Sequence, residues 1–165
     1  MTAPRPTNTV LTVAASCGHA FAPRLRRMLR RALTHVRGAP PTLSVALVGD
    51  ATMSRLHREF LGIDGPTDVL TFPLEHDSRG RVLDGEVVVC VPHARREARS
   101  RGTDPQDELL LYALHGALHL SGHDDTTPRG HRRMHRLEDR ILREIGVGPV
   151  FDPAPQPTAR RRQRP

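Results

Sequence analysis

Two histidines, His115 and His119, are separated by four positions in a segment rich in leucine and alanine. On an α-helix this spacing places both side chains on one face, one turn apart, so that two imidazoles on a rigid backbone can bind one metal ion. An unpaired polar ring in such apolar surroundings would be costly. The pair therefore predicts a site for one divalent metal ion, and zinc is the expected ion.

The turn after this segment contains the candidates for a third metal ligand. Gly122 can end the helix and return the chain, which brings His123, Asp124 and Asp125 towards the two histidines. A catalytic zinc ion usually has three protein ligands and a water molecule. His123 and Asp124 are also the candidates for a catalytic acid or base. Zinc proteases with the motif His-Glu-x-x-His use the glutamate as general base, but Gly116 occupies that position here.

A second histidine pair, His131 and His135, has the same spacing but lies among Arg129, Arg132, Arg133 and Arg136. We interpret this stretch mainly as a solvated or RNA-facing surface, with auxiliary metal binding as the alternative. All 25 basic residues of the chain are arginine, and the net charge is +7. Coding bias can explain the absence of lysine, but guanidinium groups also bind phosphate bidentately, which makes RNA a plausible partner.

Alternating apolar segments predict the elements that position these residues. Strands are expected at 9–15, 42–48, 68–74 and 85–91, and helices at 23–36, 50–60, 92–101, from 105 to Gly122, and from 128 to Gly146. Asp50 and Asp104 are expected to be helix N-caps. Residues 1–151 should form a single domain, and 152–165, with four prolines and four arginines, a disordered tail. No segment has the ~20 apolar residues of a membrane span, and the N-terminus lacks a signal-peptide pattern, so a cytoplasmic location is expected.

The segment that begins at His115 resembles the signature His-Gly-x-Leu-His-Leu-x-Gly-Tyr-Asp-His of the YbeY endoribonucleases, which mature bacterial ribosomal RNA. Residues 66–73 are similar to that family's Pro-Thr-Asp-Val-Leu-Ser-Phe-Pro, and 85–98 resemble its following strand and helix. Met134, Glu138, Ile141 and Leu142 match its last helix. Together these matches cover about residues 42–146.

The resemblance implies an α+β fold, in which a small mixed sheet packs with helices around a zinc-binding helix. It implies a metal-dependent, single-strand-specific endoribonuclease that acts in ribosomal RNA maturation and ribosome quality control. The expected partners are ribosomal RNA and the small ribosomal subunit, with no DNA and no membrane. A metallopeptidase-like hydrolase and a non-catalytic, ribosome-associated metal-binding factor are the alternatives.

The chain departs from the family pattern at three positions. The family's third ligand is a histidine where this chain has Asp125, and its tyrosine is replaced by His123. The predicted ligands are therefore His115, His119 and Asp125. Because a carboxylate lowers the net charge of the site, the metal should be a weaker Lewis acid than with three imidazoles.

The third departure concerns RNA contact. The family often has an arginine at the position of Leu61, a candidate for phosphate binding or catalysis. Arg58 is the nearby residue that could substitute for it. Arg95 and Arg96, at the start of the next predicted helix, are two further candidates for RNA binding beside Arg58.

Overall fold

A computed structural model describes residues 8–150 of the chain. The strands are β1 (Val10–Ala15), β2 (Thr42–Val48), β3 (Val69–His76) and β4 (Val82–Cys90). The helices are α1 (Ala22–Leu33), α2 (Asp50–Leu61), α3 (Val91–Arg101), α4 (Pro105–Leu120) and α5 (Pro128–Glu144), and a short 3-10 turn (His19–Phe21) precedes α1. The predicted tail, 152–165, lies outside the described residues. Between residues 8 and 150, no helix is long and apolar enough to cross a membrane.

The four strands form one mixed sheet in the order β1-β2-β4-β3. β1 pairs with β2, and β2 with β4, in parallel, whereas β3 and β4 form an antiparallel hairpin. This small mixed sheet with its surrounding helices confirms the predicted α+β fold. The hairpin extends both of its strands beyond the predicted bounds, because backbone pairing continues as far as His76 and Val82.

The central strand β4 has apolar side chains on both faces. Val87 and Val89 belong to the main core, whereas Val88 and Cys90 belong to a smaller cluster with Met53 of α2. Since successive strand residues point to opposite faces, the two clusters lie on opposite sides of the sheet. The sheet is therefore covered by α2 on one side and by the main core on the other.

Helix α4 is the most deeply buried helix of the main core. It packs against α1, α3, α5 and both strands of the hairpin. Asp104 caps its start by accepting a hydrogen bond from the backbone N–H of Gln106, as expected, and Pro105 occupies the first turn. Because neighbours surround the helix on several sides, the side chains that it carries have fixed positions.

The start of α2 differs from the expectation. The N-cap is Gly49, and the side chain of Asp50 makes no capping hydrogen bond. Instead its carboxylate accepts hydrogen bonds from the guanidinium of Arg96, at 2.8 and 2.9 Å, and from the thiol of Cys90 at 3.3 Å. The hydrogen bonds from Arg96 lower the pKa of Asp50, against a smaller opposing effect of burial.

Gly116 allows α4 to lie directly against the hairpin. A Cβ atom at this position would lie 2.7 Å from a methyl carbon of Val87 and 2.9 Å from that of Thr71. No ordinary contact is this short, so a larger side chain would push the helix away from the sheet. A glutamate therefore has no space at the position where the zinc proteases carry their general base.

We expect Gly116→Ala to destabilise the protein by about 1–3 kcal/mol, the usual cost of overpacking a core. Chemical denaturation would measure this change. The double variant with Val87→Ala makes space for the new methyl group, so its loss of stability should be smaller than the sum of the two single losses. An unchanged or raised stability in Gly116→Ala would contradict this packing, since alanine is favoured over glycine by ~1 kcal/mol at an open helical position.

Candidate metal centre

The two imidazoles on α4 face each other across 3.0 Å, measured between Nε2 of His115 and Nε2 of His119. Their ring planes are nearly perpendicular, at 83°. Two nitrogens bound to one zinc ion at ~2.0–2.1 Å in a tetrahedral site lie ~3.3 Å apart, so this separation is close to that of a chelating pair. The spacing in the sequence therefore produces the expected pair of ligand atoms.

The other ring nitrogens are held by hydrogen-bond acceptors. Nδ1 of His119 lies 3.1 Å from the backbone carbonyl of His123, and Nδ1 of His115 lies 2.7 Å from Oε1 of Glu138. Because a carbonyl or a carboxylate accepts, each Nδ1 carries the proton, which leaves a lone pair on each Nε2 of the neutral rings. Without a metal ion, the two Nε2 atoms, 3.0 Å apart, can share one proton in a hydrogen bond, and a divalent cation takes the place of that proton when both rings act as ligands.

Asp125 completes the cluster. Its Oδ2 lies 3.6 Å from Nε2 of His115, and its Oδ1 lies 3.6 Å from Nε2 of His119. One ligand atom from each of the three residues lies within 4.8 Å of the others, and within residues 8–150 no other group of three potential ligands meets this criterion. Two imidazole nitrogens and one carboxylate oxygen fit a divalent metal ion, with a coordination position open to water. These residues form a possible metal-binding site.

The surroundings favour positive charge at this cluster. Burial alone would lower the pKa of the His115 imidazole, but the hydrogen bond and charge of Glu138, together with the charge of Asp125, outweigh burial and raise that pKa above its ordinary value. A site that stabilises an imidazolium stabilises a metal cation at the same place by the same electrostatic attraction.

Glu138 is the functional residue for which the sequence analysis predicted no role. It is only 1% exposed, on α5, and it orients His115 in the way that a carboxylate commonly orients a metal-binding histidine. In the sequence, the sign of such a role is an acidic residue at the same helical spacing as the apolar residues Met134, Ile141 and Leu142, because that spacing places its carboxylate on the buried face of α5. Its partner is 23 positions away in the chain, so the contact depends on the packing of α5 against α4.

The two candidate acid–base residues lie in different surroundings. Asp124 is exposed, and its carboxylate accepts hydrogen bonds from the backbone and the hydroxyl of Thr126, which lower its pKa. Burial and the charge of Arg133 lower the pKa of His123. His123 lines a groove with Arg37 and Arg140, and its backbone carbonyl accepts the hydrogen bond from Nδ1 of His119.

A cavity of about 310 Å³ opens beside the two histidines of α4. Its walls are mainly apolar and include Phe60, Leu61 and residues 68–72. Leu61, which is the last residue of α2 rather than part of the following loop, is 58% exposed. An uncharged side chain therefore occupies the part of the cavity wall where the family pattern has an arginine.

The three candidate RNA-binding arginines are not grouped at this cavity. Arg58 lies on α2, near Phe60 and Leu61 in the chain, and pairs with Asp64 at 2.6 Å. Arg95 stacks over the ring of Phe21, and Arg96 pairs with Asp50. Only Arg58 belongs to an element that lines the cavity.

Comparison with known proteins agrees with this geometry. The family described as endoribonuclease YbeY matches residues 15–146. The endoribonuclease YbeY of Chlorobium phaeovibrioides is 37% identical over 125 residues, which cover 76% of this chain and 82% of the relative. That of Thermobifida fusca is 39% identical over 127 residues, which cover 72% of this chain and 82% of the relative.

A solved structure has a similar fold. The solution structure of a protein from Thermotoga maritima has a TM-score of 0.54 and 26% sequence identity, and the alignment covers 82% of this chain and 91% of that protein. The family match extends over most of the described residues and includes all three members of the possible metal site. The chain belongs to the endoribonuclease YbeY family.

Proposed function

We propose that the protein is a zinc-dependent endoribonuclease that cleaves single-stranded RNA and acts in ribosomal RNA maturation and ribosome quality control. The observation that carries the proposal is the cluster of His115, His119 and Asp125 at the edge of a cavity, in a chain of this family. Ribosomal RNA of the small subunit is the proposed substrate, and the cytoplasm the proposed site of action.

The proposed metal ligands are Nε2 of His115, Nε2 of His119 and the carboxylate of Asp125. When bound, zinc supplies Lewis-acid polarisation of a phosphoryl oxygen and lowers the pKa of a water molecule. Glu138 and the carbonyl of His123 hold the two rings in the orientation that presents Nε2. Because these supports are in place before a ligand arrives, little reorganisation is needed on binding.

We propose Arg58 as the residue that contacts the RNA backbone beside the cavity. Its side chain is 69% exposed and that of its partner Asp64 is 83% exposed, so the ion pair between them contributes little. A phosphate group can replace such a partner and accept two hydrogen bonds from the guanidinium. Arg95 and Arg96 are proposed only for contacts outside the cavity, and Asp124 and His123 remain the proposed acid–base residues.

Cleavage of a labelled RNA by the zinc-loaded protein tests the proposal. We expect the single strand to be cleaved and the same strand, annealed to its complement, to remain intact. Removal of the metal by a chelator should abolish cleavage, and zinc should restore it. The double variant His115→Ala/His119→Ala, purified identically, controls for contaminating nucleases and should be inactive.

Two experimental results would contradict the proposed function and favour one of the alternatives. Tight RNA binding without metal-dependent cleavage would indicate a non-catalytic binding factor, for which the apolar side chain of Leu61 is the favourable observation. Cleavage of a peptide library in place of RNA would indicate a metallopeptidase-like hydrolase, against which the packing of Gly116 argues.

A further inference from the structure

The second histidine pair, on α5, reproduces the geometry of the pair on α4. Nε2 of His131 lies 2.9 Å from Nε2 of His135, compared with 3.0 Å for the first pair. The ring planes cross at 81° in the second pair and at 83° in the first. An Nε2–H···Nε2 hydrogen bond accounts for this contact when one ring carries that proton, and without the proton the two Nε2 atoms have the separation of the chelating pair on α4.

A carboxylate orients one ring of this pair as well. Nδ1 of His135 lies 3.0 Å from Oε2 of Glu138, to which it donates its proton, so the lone pair of the neutral ring is on Nε2. This is the arrangement of a carboxylate with a metal-binding histidine. The orientation of His135 is thus the one that presents Nε2 to an ion.

Glu138 joins the two pairs. Its Oε1 accepts from His115 at 2.7 Å, and its Oε2 accepts from His135 at 3.0 Å. The carboxylate is 1% exposed and therefore depends on these partners for its hydrogen bonds. One buried carboxylate consequently orients one imidazole of each pair.

The space beside the second pair suits a hydrated cation. A cavity of about 220 Å³ is lined by His131 and His135, by the acidic residues Asp68 and Glu138, and by His115 and Asp125 of the α4 site, so it adjoins both pairs. The carboxylates contribute negative charge, and the volume accommodates an ion with water ligands. The neighbouring arginines of α5 oppose a cation, and among residues 8–150 no third ligand atom completes a group of three with this pair, so the affinity should be lower than at the α4 site.

We propose that His131 and His135 bind a second divalent metal ion through their Nε2 atoms, in a site that Glu138 connects to the first. The ligand class is an ion that prefers imidazole, such as zinc, nickel or copper. The proposal does not depend on RNA cleavage, because it concerns metal binding alone.

Equilibrium dialysis of the full chain against increasing concentrations of zinc, followed by elemental analysis, tests the proposal. We expect one tightly bound equivalent and one weaker equivalent in the unmodified protein. His131→Ala should lose the weaker equivalent and keep the tight one. His115→Ala should lose the tight equivalent and keep the weaker one, which separates the second site from the first. The matched control is His76→Ala, which removes an exposed histidine at the end of β3 and should keep both.

Anomalous scattering at the zinc edge, from crystals of the unmodified protein, provides a readout that needs no variant. We expect a second peak bonded to Nε2 of His131 and of His135. Equal zinc uptake by the unmodified protein and His131→Ala would overturn the proposal. Equal losses in His131→Ala and His76→Ala, or a second peak at other residues, would also overturn it.

Discussion

Replacing either His115 or His119 with alanine is expected to abolish stoichiometric binding at the tight metal site. Each residue supplies one of the three ligand atoms that lie within 4.8 Å of one another. Loss of one imidazole leaves a carboxylate and a single nitrogen, too few protein ligands for the usual zinc site. Elemental analysis after purification and dialysis against metal-free buffer measures the change. His76→Ala is the control and should retain the full equivalent.

The two alanine variants should differ in the stability of the metal-free protein. His115→Ala removes a hydrogen-bond donor to Oε1 of Glu138, which is almost fully buried, and leaving such an acceptor unsatisfied costs about 1–3 kcal/mol. His119→Ala removes the donor to the carbonyl of His123, beside a partly exposed turn, and leaves the hydrogen bond between His115 and Glu138 in place. We therefore expect the larger loss of unfolding free energy in His115→Ala.

For the metal-binding prediction, full metal occupancy in both alanine variants would show that the metal binds at other residues.

The sequence alone predicted the pair on α4, because its periodicity and spacing are local properties. An apolar helix that starts at Pro105 and ends before Gly122 places residues four positions apart on one face, whatever the remainder of the fold. Asp125 was preferred as third ligand through the family resemblance rather than through spacing. The α+β fold class followed from the same combination of local pattern and resemblance.

Features that depend on distant partners were not predictable in this way. The capping preference of aspartate assigned Asp50 to the N-cap, but its actual partner, Arg96, lies 46 positions away. The buried carboxylate of Glu138, and the close contact of Gly116 with the hairpin, likewise depend on how α4 and α5 pack. The order of the strands in the sheet also depends on contacts between distant segments, because β4 lies between β2 and β3.

The third ligand is best tested by three substitutions at two neighbouring positions. We expect Asp125→Ala to lose the tightly bound metal, Asp125→His to retain it, and His123→Ala to retain most of it. The carboxylate oxygens of Asp125 lie 3.6 Å from both Nε2 atoms, and carboxylate is a normal zinc ligand at about 2.0–2.2 Å. Its side chain is 29% exposed, which leaves space for the imidazole that the family pattern has at this position.

His123→Ala should have a small effect on metal binding, because His123 supports the site through its backbone and not through its side chain. Its backbone carbonyl accepts the hydrogen bond from Nδ1 of His119, and an alanine keeps that carbonyl. His123 lines a groove with Arg37 and Arg140 and is not a member of the metal-binding cluster, so we expect the cluster to remain intact when its ring is removed. Metal titration of the three variants gives the comparison, with Asp125→Asn as an isosteric, uncharged control that should bind more weakly than the unmodified protein. Loss of metal in His123→Ala, together with retention in Asp125→Ala, would reverse the assignment and make His123 the third ligand.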